Sequence, residues 1–568
     1  EQPNSLYDPN GSFQSINRRY DIVYGDVMLN FNYNINRFDI AATVGWTGRY
    51  ENMNNMRVST NGGLVTENWF DLNASRYTPS STLQRMELLK TGYMGTLSLG
   101  WDNYLFLELT GRQERSSTLK DQSFFYPSAN LSFLFTQAFH MPSWWNYGKL
   151  RLSYGIVGNA PETYTANIVY EQGSDNGFTW NTIPSSWGNA DIRPEKKYEY
   201  EIGLESKFLN NRLGIDVSYY NNRVKDQILS TPQPSTSGVK NVLMNVGEVA
   251  NHGWDISISA TPILTRDFRW DLTANYGVYK NKVVKLADGV PYLEILNSGG
   301  SGIKIQAVEG QPMGDIYAQV PQVNENGEYL VSDKGLYLNQ TELQKVGNIN
   351  PAGVGGLFNS FSYKNVFLDF SIDFRIGGDV INEMNQYATA VGLTPESLKY
   401  RDTEHGGLSY YYPGDNNSSG IPVQVDPSTG AGPNGEIIYH DGIILPGVVA
   451  STGERNTRII PAGYYYNTTY NWGTEAEQLT YRHSVFDNSY VKLRELTIGY
   501  QFPEKIISKL GLGRLSVSVF GRNLFYFYKA LKNYDAESSV GTSWANQATV
   551  GSSTTATRSF GVSLRASF

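Results

Sequence analysis

The chain contains no cysteine, which removes disulfide frameworks and thiolate metal sites together. It has no run of about 18 apolar residues, and its mean hydropathy of -0.39 is that of a polar chain. No membrane-spanning helix is therefore written in it. A strand-built wall escapes that test, because residues facing a lumen dilute every strand. Basic excess is missing as well: the formal net charge is -8, against the basic face that nucleic acid requires. Histidine is scarce, and His140, His252, His405, His440 and His483 are scattered without ligand spacing, so no zinc site is expected. Glu1 is not preceded by an initiator methionine, a charged n-region or an apolar h-region. A mature product or a fragment is the expectation.

What is present is tyrosine, glycine and alternation. There are 40 Tyr and 56 Gly, and 13% of residues are aromatic. In Arg494–Pro503, Leu496, Ile498, Tyr500 and Phe502 share one face, opposite Glu495, Thr497, Gly499 and Gln501. Leu515, Val517 and Val519 oppose Ser516 and Ser518. Phe560, Val562, Leu564, Ala566 and Phe568 oppose Ser559, Gly561, Ser563, Arg565 and Ser567. Strand side chains point alternately to opposite faces, so each segment has one greasy and one wet side. A soluble sandwich could carry this pattern, but a last strand running to a terminal aromatic points to an outer-membrane barrel.

The same pattern recurs along the chain. Val27, Leu29, Phe31 and Tyr33 form one row, and after a polar turn at Asn36-Arg37 come Phe38, Ile40, Ala42, Val44 and Trp46. Tyr93 to Trp101 and Leu105 to Leu109 flank the turn Asp102-Asn103. Further strands are expected at 124–137, 147–158, 196–208, 212–228, 246–264 and 268–284, then around Leu368–Ile376. Glu201 would cost a few kcal/mol facing lipid, so the acidic faces should line a lumen. Short turns alternate with long loops, expected at 51–83, 159–195, 285–345 and 380–489, and Tyr33, Trp46, Tyr93 and Trp101 gather at strand ends as girdles do. A short helical turn is expected over Glu504–Leu512. The fold class is all-β, a transmembrane antiparallel β-barrel of about fifteen strands in this chain. Bacterial barrels close with even numbers, so strands are expected to be missing at the N-terminal end.

Several motifs, in consistent order, resemble those of the SusC/RagA-like TonB-dependent transporters. They are Tyr147–Gly155 with Val157-Gly158-Asn159, Ala190–Glu195 in a departed form of that family's pattern, Asn221–Asp226 and Gly247–Trp254. Glu309–Gly314, Val346–Pro351, Tyr490–Leu496 and Gly521–Phe525 complete the set, which covers about residues 20–568. The resemblance implies a barrel of about 22 strands that imports oligosaccharides or oligopeptides across the outer membrane of Bacteroidota. It also implies a SusD-like surface lipoprotein as lid, the TonB complex as energy source, outer-membrane lipid around the wall, and pairing of two barrels. The family's plug and TonB box match nothing here, so the whole chain, 1–568, is expected to be the C-terminal portion of the barrel.

No catalytic constellation is present, and no enzyme, cofactor or metal is expected. Asn324-Glu325-Asn326-Gly327 lacks the carboxylates of a calcium loop and reads as a turn before Tyr329. Gly355-Gly356 and Gly377-Gly378 read as strand bends. Loop aromatics are the candidate contacts for substrate or lid: Trp180, Trp187, Tyr410, Tyr411, Tyr412, Tyr464, Tyr465, Tyr466 and Trp472. Sugar rings stack on such faces, but tyrosine also packs loops and interfaces, and the sequence leaves these open. Phe560, Val562, Leu564 and Phe568 resemble the C-terminal signal read by barrel-assembly machinery. A transporter is the first expectation. A SusC-like barrel serving as a scaffold in a larger outer-membrane or secretion assembly is the alternative.

Overall fold

A computed structural model describes residues 10–567 apart from 121–122, 176–177, 234–235, 237, 299–301, 415–419, 472–479, 539–542 and 552–555. Fifteen long strands make one sheet in which sequence neighbours are sheet neighbours throughout. They are β1 (Gln14–Ile35), β2 (Phe38–Leu64), β3 (Ser75–Trp101), β4 (Leu105–Ser116) and β5 (Ser123–Phe133). Next come β6 (Trp145–Asn159), β7 (Glu195–Phe208), β8 (Leu213–Lys225), β9 (Glu248–Leu264) and β10 (Phe268–Lys285). The last are β11 (Gly353–Tyr363), β12 (Val366–Ile376), β13 (Tyr490–Gln501), β14 (Arg514–Lys529) and β15 (Ser559–Ser567). The expected all-β class, the strand count and nearly every strand position hold.

Local chemistry explains the turns. Asn36, Asp102, Asn103, Asn210, Asn211 and Lys364 sit at φ between 52° and 63°. Asn and Asp tolerate this left-handed region better than other residues with a Cβ. Such tight turns alternate along the chain with long connections. The expected helical turn forms as Glu504–Ile507 followed by a 3₁₀ turn at Ser508–Leu510.

The chain divides into two compact units: residues 1–205, 219–250 and 285–290, and residues 206–218, 251–284 and 291–568. In the first unit, register sets two kinds of row. Phe31, Ala42, Leu97, Leu109, Ala129 and Tyr154 face one another in series across β1 to β6. The adjacent row, on the other face, is Asn32, Ala41, Ser98, Glu108, Asn130 and Ser153. On the apolar face Val27 is 66% exposed and Phe31 59%; leaving such side chains in water costs about 1.5–3 kcal/mol each relative to burial. An apolar surrounding on that face would remove the cost. Phe38 pairs with Trp101 and Trp46 with Tyr93, two aromatic levels about 27 Å apart along β2 at about 3.4 Å per residue. That separation is comparable with an apolar band about 25 Å tall.

The loop expected at 51–83 is instead mostly ladder. β2 and β3 stay paired residue for residue from Phe38↔Trp101 to Ser59↔Ser80, then through irregular steps to Leu64↔Ser75. A 3₁₀ turn at Leu72–Ala74, capped by the Asp71 carboxylate accepting from Asn73 N–H, closes the hairpin. Past the two aromatic levels neither face carries an apolar row, so alternation fades while backbone hydrogen bonding continues. β3 there outruns β4, whose last partner is Lys90↔Ser116. Its free edge is blunted by the Tyr164 hydroxyl on Glu87 N–H, by Ser117 on Leu89 N–H and by Pro79, which has no donor.

The second unit repeats the wall. Trp270, Phe361, Leu368, Ile498, Val519 and Val562 form one unbroken row across β10 to β15. The Trp270 and Phe361 rings stack with centroids 5.5 Å apart, and Trp270 Nε1 donates to Asn359, so the indole nitrogen is satisfied on the apolar face. The row beside it carries Asp271, Ser360, Asp369 and Thr497, with Ser360 donating to Asp369 at 2.6 Å. Gly355-Gly356 does not bend the strand as expected: both pair regularly with Phe374 and Asp373, and a Cβ at Gly355 would meet the Phe374 ring at 2.5 Å. Gly377 and Gly378, at φ 68° and 79°, do turn the chain.

Candidate functional site

The long connections of the second unit form a folded crown. The long loop expected at 285–345 instead holds a four-stranded sheet of Tyr292–Ser298, Ile303–Val308, Asp315–Ala318 and Gln344–Asn348. Ile303, Ile305, Ile316 and Ile381 pack beneath it. The region expected to lack strand periodicity, 380–489, folds around two short helices, α1 (Glu383–Ala390) and α2 (Ala462–Tyr470). It also carries a small sheet of Leu408–Tyr411, Val423–Gln424, Tyr439–Ile443 and Ile460–Pro461. Asn382 caps α1 by accepting from Asn385 N–H at 3.0 Å.

Most of the aromatic candidates build this crown. Tyr410 and Tyr412 are buried with Ile459 and pack against Tyr439. The Tyr410 hydroxyl donates to Asp441 at 3.1 Å, and burial, then Asp441, raises its pKa. Tyr411 points to the other side of the strand and is half-buried. Tyr466 is buried and donates to the Glu396 carbonyl at 2.8 Å; burial pushes its pKa up to about 12. Tyr464 and Tyr465 lie half-buried on the cluster of Leu336, Ile443, Leu445 and Ile460. His483 stacks on Tyr470 at 4.4 Å, and burial with nearby Arg482 lowers its pKa to about 4. It is a neutral packing group at pH 7. In the first unit, Trp187 meets Tyr170 edge to face, and Trp180 is 45% exposed on the hairpin Glu171–Asp175/Phe178–Thr182. Trp472 and Phe568 lie outside the described residues. Phe560, Val562 and Leu564 stand in an exposed row along β15.

Among its described residues the crown shows no arrangement for bond chemistry. Ser409 Oγ lies 2.8 Å from His440 Nδ1, a nucleophile–base distance, but Ser409 is 2% exposed and no substrate reaches it. No group of three or more metal-ligating side chains occurs among the described residues. Asn324-Glu325-Asn326-Gly327 is a turn in which Asn324 Oδ1 accepts from the N–H groups of Asn326 and Glu328.

The sequence did not single out a polar cluster of the second unit centred on Glu537. Lys492, 2% exposed on β13, donates to Glu537 of the β14–β15 connection. Arg494 reaches the same carboxylate with both terminal nitrogens, and its Nε donates to Asp373 on β12. A register shift between Leu493 and Glu495 brings Arg494 to Asn523, 2.9 Å away. Burial opposes ionisation of Glu537, but Arg494 and Lys492 hold its pKa down to about 2. Nearby, a cavity of about 340 Å³ is lined by Tyr279, Asn350, Arg375, Tyr490, Glu537 and Trp544 among others. A larger one, about 860 Å³, lies on the polar face of the first unit beside Asn32, Glu108, Asn130, Arg151 and Glu201. Lys492, Arg494 and Asn523 fall within motifs visible in the sequence; Glu537 lies in a stretch without pattern.

The fold has counterparts among known proteins. The family described as TonB dependent receptor-like, beta-barrel, matches residues 1–322. TonB-dependent receptor P3 of Formosa agariphila is 24% identical over 494 residues, covering 79% of this chain and 42% of that protein. TonB-dependent receptor SusC of Bacteroides thetaiotaomicron is 30% identical over 247 residues, 40% of this chain and 24% of that one. Among solved structures, the RagAB peptide transporter superposes with a TM-score of 0.66 at 18% identity, covering 92% of this chain and 54% of that one. The chain thus spans about half the length of the proteins it matches, or less. It belongs to the TonB-dependent receptor-like β-barrel family.

Proposed function

We propose that this chain is the barrel portion of an outer-membrane importer of oligosaccharides or oligopeptides. The carrying observation is the pair of continuous rows in each unit, one apolar and one polar, in fixed register. A wall of that kind would be stabilised by lipid on one side and water on the other. The relatives support import as the purpose: SusC is named a TonB-dependent receptor and RagAB a peptide transporter. A SusD-like lipoprotein would cover the crown, and TonB would act through parts of the protein outside this chain. Trp180, Trp187, Tyr411, Tyr464 and Tyr465 keep exposed surface and would meet substrate or lid. Tyr410, Tyr412 and Tyr466 would shape the loops that present them. Phe560, Val562 and Leu564 would serve barrel assembly.

Deletion of the gene tests the reading. Cells lacking it should fail to take up one class of labelled glycan or peptide that the parent strain imports, with uptake restored by the intact gene. Undiminished uptake of every class would leave the scaffold reading in its place.

A further inference from the structure

We infer that Lys492 and Arg494 form a carboxylate-binding subsite in which Glu537 is a resident occupant, and that a carboxylate-bearing ligand in the adjoining cavity competes with it. The importer reading matters here only in saying where such a ligand comes from. Three observations carry the inference. First, two cations from one wall strand converge on a single carboxylate of a separate connection. Lys492 is almost wholly buried, with its Nζ 4.8 Å from the centre of the Tyr526 ring. A buried ammonium cannot be left unpaired, so whatever moves Glu537 aside must bring a negative charge.

Second, the guanidinium of Arg494 is already pre-set. Its Nε is fixed by Asp373 and one terminal nitrogen by Asn523, leaving the bidentate edge for a carboxylate. Third, room is available beside that carboxylate. Glu537 lines the cavity of about 340 Å³, a size in the range of small-molecule sites. Arg375 lines it too, held by its Nε on the Gly377 carbonyl at 3.2 Å and a terminal nitrogen on the Ile349 carbonyl at 3.0 Å. A guanidinium has five N–H donors, so Arg375 keeps others for the ligand. Trp544 and Tyr490 supply flat apolar faces. The site suits a group with an acidic end and a packable body: the C-terminus of a peptide or a uronic acid of a glycan.

The test is calorimetric titration of the purified protein, as expressed from its gene, with four probes: penta-alanine, penta-alanine amide, trigalacturonate and maltotriose. Removing the resident occupant should tighten binding, so E537Q is expected to bind an acidic probe at least about tenfold more strongly than wild type, about 1.4 kcal/mol. Neutral partners should gain nothing, and Arg375→Gln in the E537Q background should weaken the acidic probe. Gain for penta-alanine alone assigns peptide, and gain for trigalacturonate alone assigns acidic glycan. Equal gain for neutral probes, or no gain for either acid, overturns the inference. Because E537Q could misfold, its heat-modifiable gel mobility is checked first, and if it fails Arg375→Gln replaces it, in which the acidic probe alone should bind more weakly than to wild type. None of these readouts depends on uptake, so loss of the inference and loss of the importer reading are told apart.

Discussion

Tyr410, Tyr411 and Tyr412 are three identical letters in a row, yet the crown strand sends Tyr410 and Tyr412 into packing and Tyr411 elsewhere. Strand alternation does this, and no composition argument could separate them. The triplet at Tyr464 to Tyr466 splits for a different reason: it lies on a helix, where successive residues are turned about 100° apart, and Tyr466 is the one buried. Tyr410→Ala should cost about 3–5 kcal/mol, as deletion of a large buried ring does, and Tyr410→Phe about 1 kcal/mol through the lost Asp441 bond. Tyr411→Ala should leave thermal unfolding in detergent nearly unchanged. Glu537 gives a pH signature. Its folded pKa, about 2, is below the unfolded value, so its contribution is full above about pH 4.5 and lost as pH falls toward 2. Melting temperatures of wild type and E537Q should therefore differ by a constant amount above about pH 5 and converge in acid. His483, held near 4, works in the same direction over about pH 6.5 to 4, because the unfolded chain takes up a proton the folded one refuses.

Among elements, the wall strands were legible because an apolar face and a polar face place opposite demands on alternate residues. Leu496, Ile498 and Tyr500 mark β13 in the sequence, and Ile498 sits in the Trp270–Val562 row. The upper half of β2 and β3 was hidden: residues such as Asn52, Asn54 and Asn55 carry no two-faced pattern, and only backbone pairing reveals the ladder. The crown was hidden for a third reason, since its short strands pair across separations that no local periodicity records, as Leu408 with Gly442. Face identity can be tested directly. Ile498→Arg should cost about 2–4 kcal/mol if it lies near mid-membrane, lowering the yield of folded, heat-modifiable protein. Its neighbour Thr497→Arg, on the polar face, should fold with near-normal yield; equal damage from both would contradict the assigned faces.

For the whole molecule, the wall and the family support the proposed passage of a solute. Family motifs in the sequence were informative because they mark irregular places: Lys492 to Glu495 and Arg522-Asn523 meet in space at a register shift, where Asn523 takes φ 54°. What they could not reveal was the partner of that junction, since Glu537 comes from a connection with no repeating pattern. The most direct measurement is a mild-detergent pull-down of this protein from its native membrane, with mass spectrometry of co-purifying proteins and small molecules. The account predicts a SusD-like lipoprotein together with a bound glycan or peptide. Recovery of secretion or assembly machinery, with neither lipoprotein nor ligand, would contradict it.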